Sequence, residues 1–128
     1  MSYYFAKKLN MKFEQAIEHV TEALKSEGFG IISTIDVQET LKKKIDVDFR
    51  PYRILGACNP KLAYEALSIE DKIGTMLPCN VVVQAQEGGM VEVAAVDPVA
   101  SMQAIANSKL EATAGGVRAK LKRVVDSL

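Results

Sequence analysis

Twice in this chain a strand-like run ends in a polar capping residue followed at once by proline: Tyr52–Cys58 runs into Asn59-Pro60, and Val91–Val96 runs into Asp97-Pro98. Asn and Asp side chains accept hydrogen bonds from the free N–H groups that open a helix. Proline suits the first helical position, where no N–H is needed and φ is already set. Each junction therefore predicts a strand that gives way to a helix within one residue. A chain punctuated in this way interleaves strands and helices, as an α+β fold does.

The other segments fit that frame. Tyr3 to Leu9 suits a first strand, and Asn10 offers a cap for the helix after it. Phe13, Ala16, Ile17, Val20, Ala23 and Leu24 lie at helical spacing on one stripe, and Gly28 supplies a stop. Phe29 to Ile35 alternates Ile31, Ser33 and Ile35 against Ile32 and Thr34, the period of a half-buried strand. Asp36 and Glu39 match a capping box for a short helix through Leu41 to Lys44. After the Pro60 helix, Gly74 to Pro78 reads as a loop, and Val81 to Val83 begins a fourth strand. Glu87-Gly88-Gly89-Met90 makes a tight turn into the fifth strand, Val91 to Val96. The Pro98 helix is expected to turn Val99, Met102, Ile105 and Ala106 inward before Asn107-Ser108 breaks it. Leu110, Ala114, Val117, Leu121, Val124 and Leu128 then form the narrow stripe of a long terminal helix, interrupted by Gly115-Gly116.

At 128 residues the chain fits one domain, residues 1–128, large enough to be stable without disulfides or a structural metal. Sixteen basic side chains balance 16 acidic ones, so no global field favours nucleic acid, and no nucleic-acid partner is expected. The opening Met-Ser-Tyr-Tyr-Phe-Ala-Lys-Lys runs straight into an amphipathic segment, and no apolar run approaches the roughly 18 residues of a membrane span. The expectation is a cytoplasmic protein with no signal peptide and no membrane partner.

The two cysteines, Cys58 and Cys79, share a context: each is followed by asparagine and stands beside or near a proline, in Ala57-Cys58-Asn59-Pro60 and Leu77-Pro78-Cys79-Asn80. Cys58 lies one residue before a helix cap, where the macrodipole favours thiolate. Cys79 follows a proline at a strand entrance, a position that presents a side chain at a sheet edge. If the two strands are antiparallel neighbours, the end of one lies beside the start of the other; a parallel crossover sets the thiols at opposite ends. Free cysteine also behaves as a small buried hydrophobe, and capping alone accounts for Asn59. A structural zinc spacing is absent, since there is no Cys-x-x-Cys and only one histidine, His19, between Glu18 and Glu22 on a solvated helix face. A metal ion at the thiols would need carboxylates or a second subunit. Glu70 and Asp71 lie near enough in sequence to reach toward Cys79, but at a helix start they also simply complement the dipole. Lys42-Lys43-Lys44 reads as a solvated helix end. No nucleophile elbow, phosphate-binding glycine loop, dinucleotide fingerprint or metalloprotease helix is present.

The stretch Tyr52-Arg53-Ile54-Leu55-Gly56-Ala57-Cys58-Asn59-Pro60, with Ala63, Ala66-Leu67, Ile73-Gly74 and Leu77-Pro78-Cys79-Asn80-Val81-Val82-Val83, resembles the bacterial and archaeal domain-of-unknown-function family three hundred and two. The resemblance takes in Glu27-Gly28-Phe29-Gly30 and Val96-Asp97-Pro98 and so spans nearly the whole chain. It implies a compact α+β domain, a homodimer, and no established activity; by association it raises sulfur or thiol chemistry slightly. Cys58, Asn59, Pro60, Pro78, Cys79 and Asn80 belong to the shared motif and are carried over as candidate ligand-binding residues.

The expected architecture is α+β, an antiparallel sheet of about five strands in the order β-α-β-(α)-β-α-β-β-α, covered on one face by the first and last helices. Val82, Tyr3 and Phe5 suggest apolar patches on the other face, which a symmetric dimer would hide. Three functions stay open: a small dimeric binding module for a small ligand, metal ion or sulfur species near Cys58 and Cys79; a thiol-dependent enzyme of sulfur transfer or redox exchange; and a structural or adaptor dimer with inert buried cysteines. No cofactor, and no choice between enzyme and non-enzyme, follows from the residues.

Overall fold

The computed structural model describes residues 2–128; Met1, the first residue of the expected domain and leader reading, lies outside the described residues. Five strands, β1 (Tyr4–Leu9), β2 (Gly30–Asp36), β3 (Tyr52–Cys58), β4 (Cys79–Ala85) and β5 (Val91–Val96), form one sheet in the order β1-β5-β4-β3-β2. Every neighbouring pair is antiparallel. The helices are α1 (Phe13–Ser26), α2 (Val37–Ile45), α3 (Pro60–Ile69), a single turn α4 (Pro98–Ser101) and α5 (Ser108–Asp126). The fold is thus α+β, as expected. No helix among the described residues is long and apolar enough to cross a membrane.

Period-two alternation puts Leu55 and Ala57 of β3, Cys79, Val81 and Val83 of β4, and Val91, Val93 and Ala95 of β5 on one face. Onto it α1 lays Ala16, Val20 and Leu24, and α5 lays Val117, Leu121, Val124 and Val125. Each fully buried Val or Leu contributes about 1.5–3 kcal/mol relative to exposure, so this layer dominates the stability. A second, smaller cluster, Ala66, Ile73, Met102, Leu110 and Ala114, joins α3 and α4 to the first half of α5. No residue of α2 is buried.

Capping follows the polar signals closely. Asn59 accepts from the Leu62 N–H at 3.3 Å and Asp97 from the Val99 and Ala100 N–H groups at 3.0 and 3.4 Å. Asp36 accepts from the Glu39 N–H at 3.0 Å. Gly28, at φ +86°, takes the left-handed conformation that closes α1, its N–H donating to the Lys25 carbonyl while that of Phe29 donates to Leu24.

Several expectations need correction. The N-cap of α1 is Lys12, not Asn10, which stays exposed in the preceding turn. The Pro98 helix stops after one turn; Val99, Met102 and Ile105 pack inward as expected, but no helix continues through Ala106, which is exposed. A 3-10 turn, Ile73–Met76, overlaps the loop expected over Gly74 to Pro78, and β4 begins at Cys79 rather than Val81. A bulge between Ile31 and Ser33 breaks the even alternation of β2. Ile31 therefore packs on the core while Ile35 is 49% exposed. Phe5 lies on the covered face, against the core and 5.1 Å from the Arg118 guanidinium; Tyr4, its neighbour, takes the outer face. Gly115 and Gly116 have nothing within 4 Å of where a Cβ would stand, and α5 passes through them unbroken.

Candidate functional site

The site is built where β3 ends and β4 begins. Because the two strands are antiparallel neighbours, Ala57 stands directly opposite Cys79, and Cys58 is the next residue along β3. Both cysteines are free and both line one cavity at the seam between the two core clusters. Its walls come from β3 and β4, from Leu62 and Ala66 of α3, from Met102 after α4, and from Leu110 and Val117 of α5. Its volume is ≈ 30 Å³, room for about one or two water-sized atoms. The walls are almost wholly hydrocarbon and sulfur.

Cys79 is 7% exposed. It is not presented at a sheet edge, because β4 is the central strand and the first ladder position faces the core. Burial pushes its thiol up to about 11, and the neighbouring Cys58 adds to the shift. Cys79 is therefore a neutral thiol at pH 7. Cys58 is half-buried at the strand end, one residue before the α3 cap.

The other motif residues divide between structural duties and the opposite face. Asn59 uses both ends of its amide: Oδ1 caps α3, and Nδ2 donates to the Glu27 carbonyl at 3.4 Å, tying the α1–β2 turn to the start of α3. A Cβ on Gly28 would stand 3.0 Å from that same Nδ2, so the turn glycine also makes room for the tie. Pro60 is the exposed first residue of α3. Pro78 packs over Gly56 on the outer face, where an added Cβ would stand 2.7 Å from its Cγ and would also meet the Ser33 hydroxyl. Asn80 is exposed on that outer face, opposite Gly56. The tripeptide Pro78-Cys79-Asn80 thus sends only its middle residue to the cavity.

Other sequence candidates stay apart. His19 is exposed on α1, and Glu70 and Asp71 do not line the cavity. Among the described residues, no three His, Cys, Asp or Glu side chains converge in a way that could hold a metal ion. The residue that sequence reasoning missed is Met102, 8% exposed, whose thioether-bearing side chain joins the two cysteines in lining the cavity. Its inward position was legible, but its companions were not. Asp97 anchors this corner: 5% exposed, it caps α4 and accepts from Arg118 Nε on α5 at 3.0 Å.

The outer face of the sheet carries a different feature. One cross-strand row, Ile35, Ile54, Val82, Ala94 and Ala6, runs from one edge to the other, bulky at the β2 end and small at the β1 end. Part of the row, Val82 and Ala94, floors an open groove of ≈ 400 Å³ bordered by Tyr3, Tyr4, Tyr52, Asn80, Gln84 and Glu92.

Comparison with known proteins agrees with this architecture. A crystal structure of an uncharacterised conserved DUF302 protein from Bacillus stearothermophilus is similar, with a TM-score of 0.90 and 28% sequence identity over 98% of this chain and 98% of that one. Among curated proteins none matches the chain. The match to the family described as Domain of unknown function DUF302 takes in residues 5–128, almost the full length, and the chain belongs to that family.

Proposed function

We propose that this protein is a binding module whose cavity takes a small, weakly hydrated species beside Cys58 and Cys79. One observation carries the reading: two cysteines, 21 positions apart in the sequence, line the same small apolar cavity. Close packing leaves only a few voids of this size in a domain. Cys79 itself is a poor nucleophile, because burial holds its proton at neutral pH and the thiolate is the attacking form. Asn59 and Pro60 act as the cap that fixes Cys58, and Pro78 and Asn80 as the strand entry that fixes Cys79. Two unpaired thiols also support a reducing, cytoplasmic setting.

Methyl methanethiosulfonate, small and uncharged, tests access to the cavity. It is expected to modify the folded protein at Cys58 within minutes, whereas the bulky anionic Ellman reagent reacts slowly. An Ala66→Leu replacement, which fills the cavity from α3, is expected to slow the small reagent at least tenfold. Equal exclusion of both reagents until the chain is unfolded would refute the reading.

The outer face supports a homodimer. A two-fold axis parallel to the strands and passing by Val82 sets Val82 against Val82, Ile35 of one protomer over Ala6 of its partner, and Ile54 over Ala94, so large meets small on either side of the centre. The same axis brings Tyr52 and Arg50 of one copy toward Glu92 of the other. Five strands by six residues give roughly 480 Å² per protomer, or about 960 Å² in all, near the lower limit for a specific contact. A reversible dimer is expected, and sedimentation equilibrium of Val82→Glu should give a monomer across concentrations at which the native chain associates. An unchanged molecular mass would refute this face as the interface.

A further inference from the structure

We propose that the cavity is the inner end of a longer site that takes an unbranched aliphatic alcohol, with Met102 as the door between its two parts. This deepens the binding-module reading and rests on it. Next to the cavity of ≈ 30 Å³ lies an open groove of ≈ 290 Å³, bounded by the turn after α4 and the first half of α5. Met102, Leu110 and Ala114 belong to the walls of both spaces. All three are buried, so groove and cavity adjoin across side chains rather than across solvent.

Of these three, Met102 is the one suited to move. Leu110 and Ala114 stand one turn apart on the long helix α5, which holds them in place. Met102 follows the single turn of α4, and its unbranched side chain changes shape about three rotatable bonds without moving its backbone. That backbone is fixed. The Met102 N–H donates to the Pro98 carbonyl at 3.0 Å, and Asp97, the cap of the same turn, accepts from Arg118 Nε of α5 at 3.0 Å.

The walls select the occupant. The cavity has room for little more than a terminal methyl group and its neighbour, and an apolar space of that kind holds no water. The groove continues the apolar surface with Val99 and Ile105, so a tail reaching from one to the other is narrow and unbranched. At the rim, both ends of the Asn107 amide are committed, Oδ1 to the Lys109 N–H at 3.1 Å and Nδ2 to the Ile69 carbonyl at 3.4 Å. Among the described residues lining the groove, Glu111 alone is ionisable, and it stands exposed on the first turn of α5. A carboxylate only accepts, so the head of the ligand must donate. Lys109, two positions earlier, and the positive end of α5 offset that carboxylate, so the rim complements a neutral donor rather than an ammonium. A hydroxyl meets both conditions, and a carboxylate head is repelled.

The test is an NMR titration of the purified full chain with the series 1-butanol to 1-octanol, at concentrations that leave the circular dichroism of the fold unchanged. One alcohol per chain is expected, bound about fourfold more tightly for each added methylene. The terminal methyl of 1-octanol should give nuclear Overhauser contacts to Leu62 and Leu77, which line the cavity and not the groove. Octanoate and octylamine should each bind about tenfold more weakly. Met102→Leu keeps the volume but replaces a pliant side chain with a branched one; it should slow the association of 1-octanol about fivefold while leaving the urea midpoint close to native. Contacts confined to Val99 and Ile105, equal or tighter binding of either charged analogue, or an unchanged rate in Met102→Leu overturns the proposal. If no alcohol binds while methyl methanethiosulfonate still enters the folded protein, the aliphatic assignment alone falls; if neither enters, the cavity reading falls with it.

Discussion

Cys79 makes a quantitative link between burial and pH. Its thiol is pushed from an ordinary value of 9.0 to about 11 in the folded chain, chiefly by desolvation and secondarily by Cys58. A group whose native pKa is raised contributes stability that is complete below its unfolded pKa and is lost as pH rises through the folded value, because the unfolded chain sheds the proton first. The loss therefore falls between pH 9 and pH 11. From pH 8 to pH 10 it amounts to about 1.3 kcal/mol, and by pH 12 it approaches about 2.7 kcal/mol. Tyrosines and lysines titrate in the same range, so the measurement must be a difference. Urea unfolding of the native chain and of Cys79→Ala, at both pH 8 and pH 10, isolates it. At pH 8 the variant should be the less stable by about 1 kcal/mol for the lost sulfur, and by pH 10 that gap should close or reverse. Parallel stability curves for the two proteins across this range would refute the account, since they would mean that Cys79 ionises as easily in the fold as outside it.

Asp97→Ala removes a buried carboxylate that caps α4 and pairs with Arg118; about 2–4 kcal/mol of stability is expected to go, less for Asp97→Asn, which keeps an acceptor for the cap, as read from urea midpoints. Gly56→Ala places a methyl group 2.7 Å from Pro78 Cγ and against the Ser33 hydroxyl, and should cost about 1–3 kcal/mol in the same assay; a native midpoint would show that the sheet yields there. Arg123 holds the Glu27 carboxyl below its usual range, mainly by hydrogen bonding. Its stabilisation is present above the unfolded pKa and lost as pH falls through the native one, so Glu27→Gln should flatten the acid limb of the stability profile, measured by thermal unfolding from pH 3 to pH 6.

Much of this fold was legible because its boundaries are chemically marked. Asn59-Pro60 ended β3 and began α3 where expected, and the stripe from Leu110 to Val124 became the inner side of α5. The failures share a cause: they turn on tertiary neighbours. The bulge at Ile31 and Ser33 lets Ile31 join the core while Ile35 faces out, and an alternating sequence carries no sign of it. Phe5 looked like an outer-face aromatic, yet Arg118, more than a hundred positions later, stacks on it from α5. That Cys58 and Cys79 come to the same end of the β3–β4 pair required only that the strands run antiparallel, which sequence could pose as a condition. The arrival of Met102 at the same void needed the one-turn length of α4, which helical spacing overestimated.

Pro78 rests on Gly56 outside the sheet while Cys79, its immediate neighbour, looks inward, so one peptide unit separates two chemically unlike compartments. Whatever presses on the exterior there has no intervening layer to absorb it. A second molecule settling over Asn80 and a small species lodging beside Cys79 would be negotiating over the same few backbone atoms, and each would feel the arrival of the other.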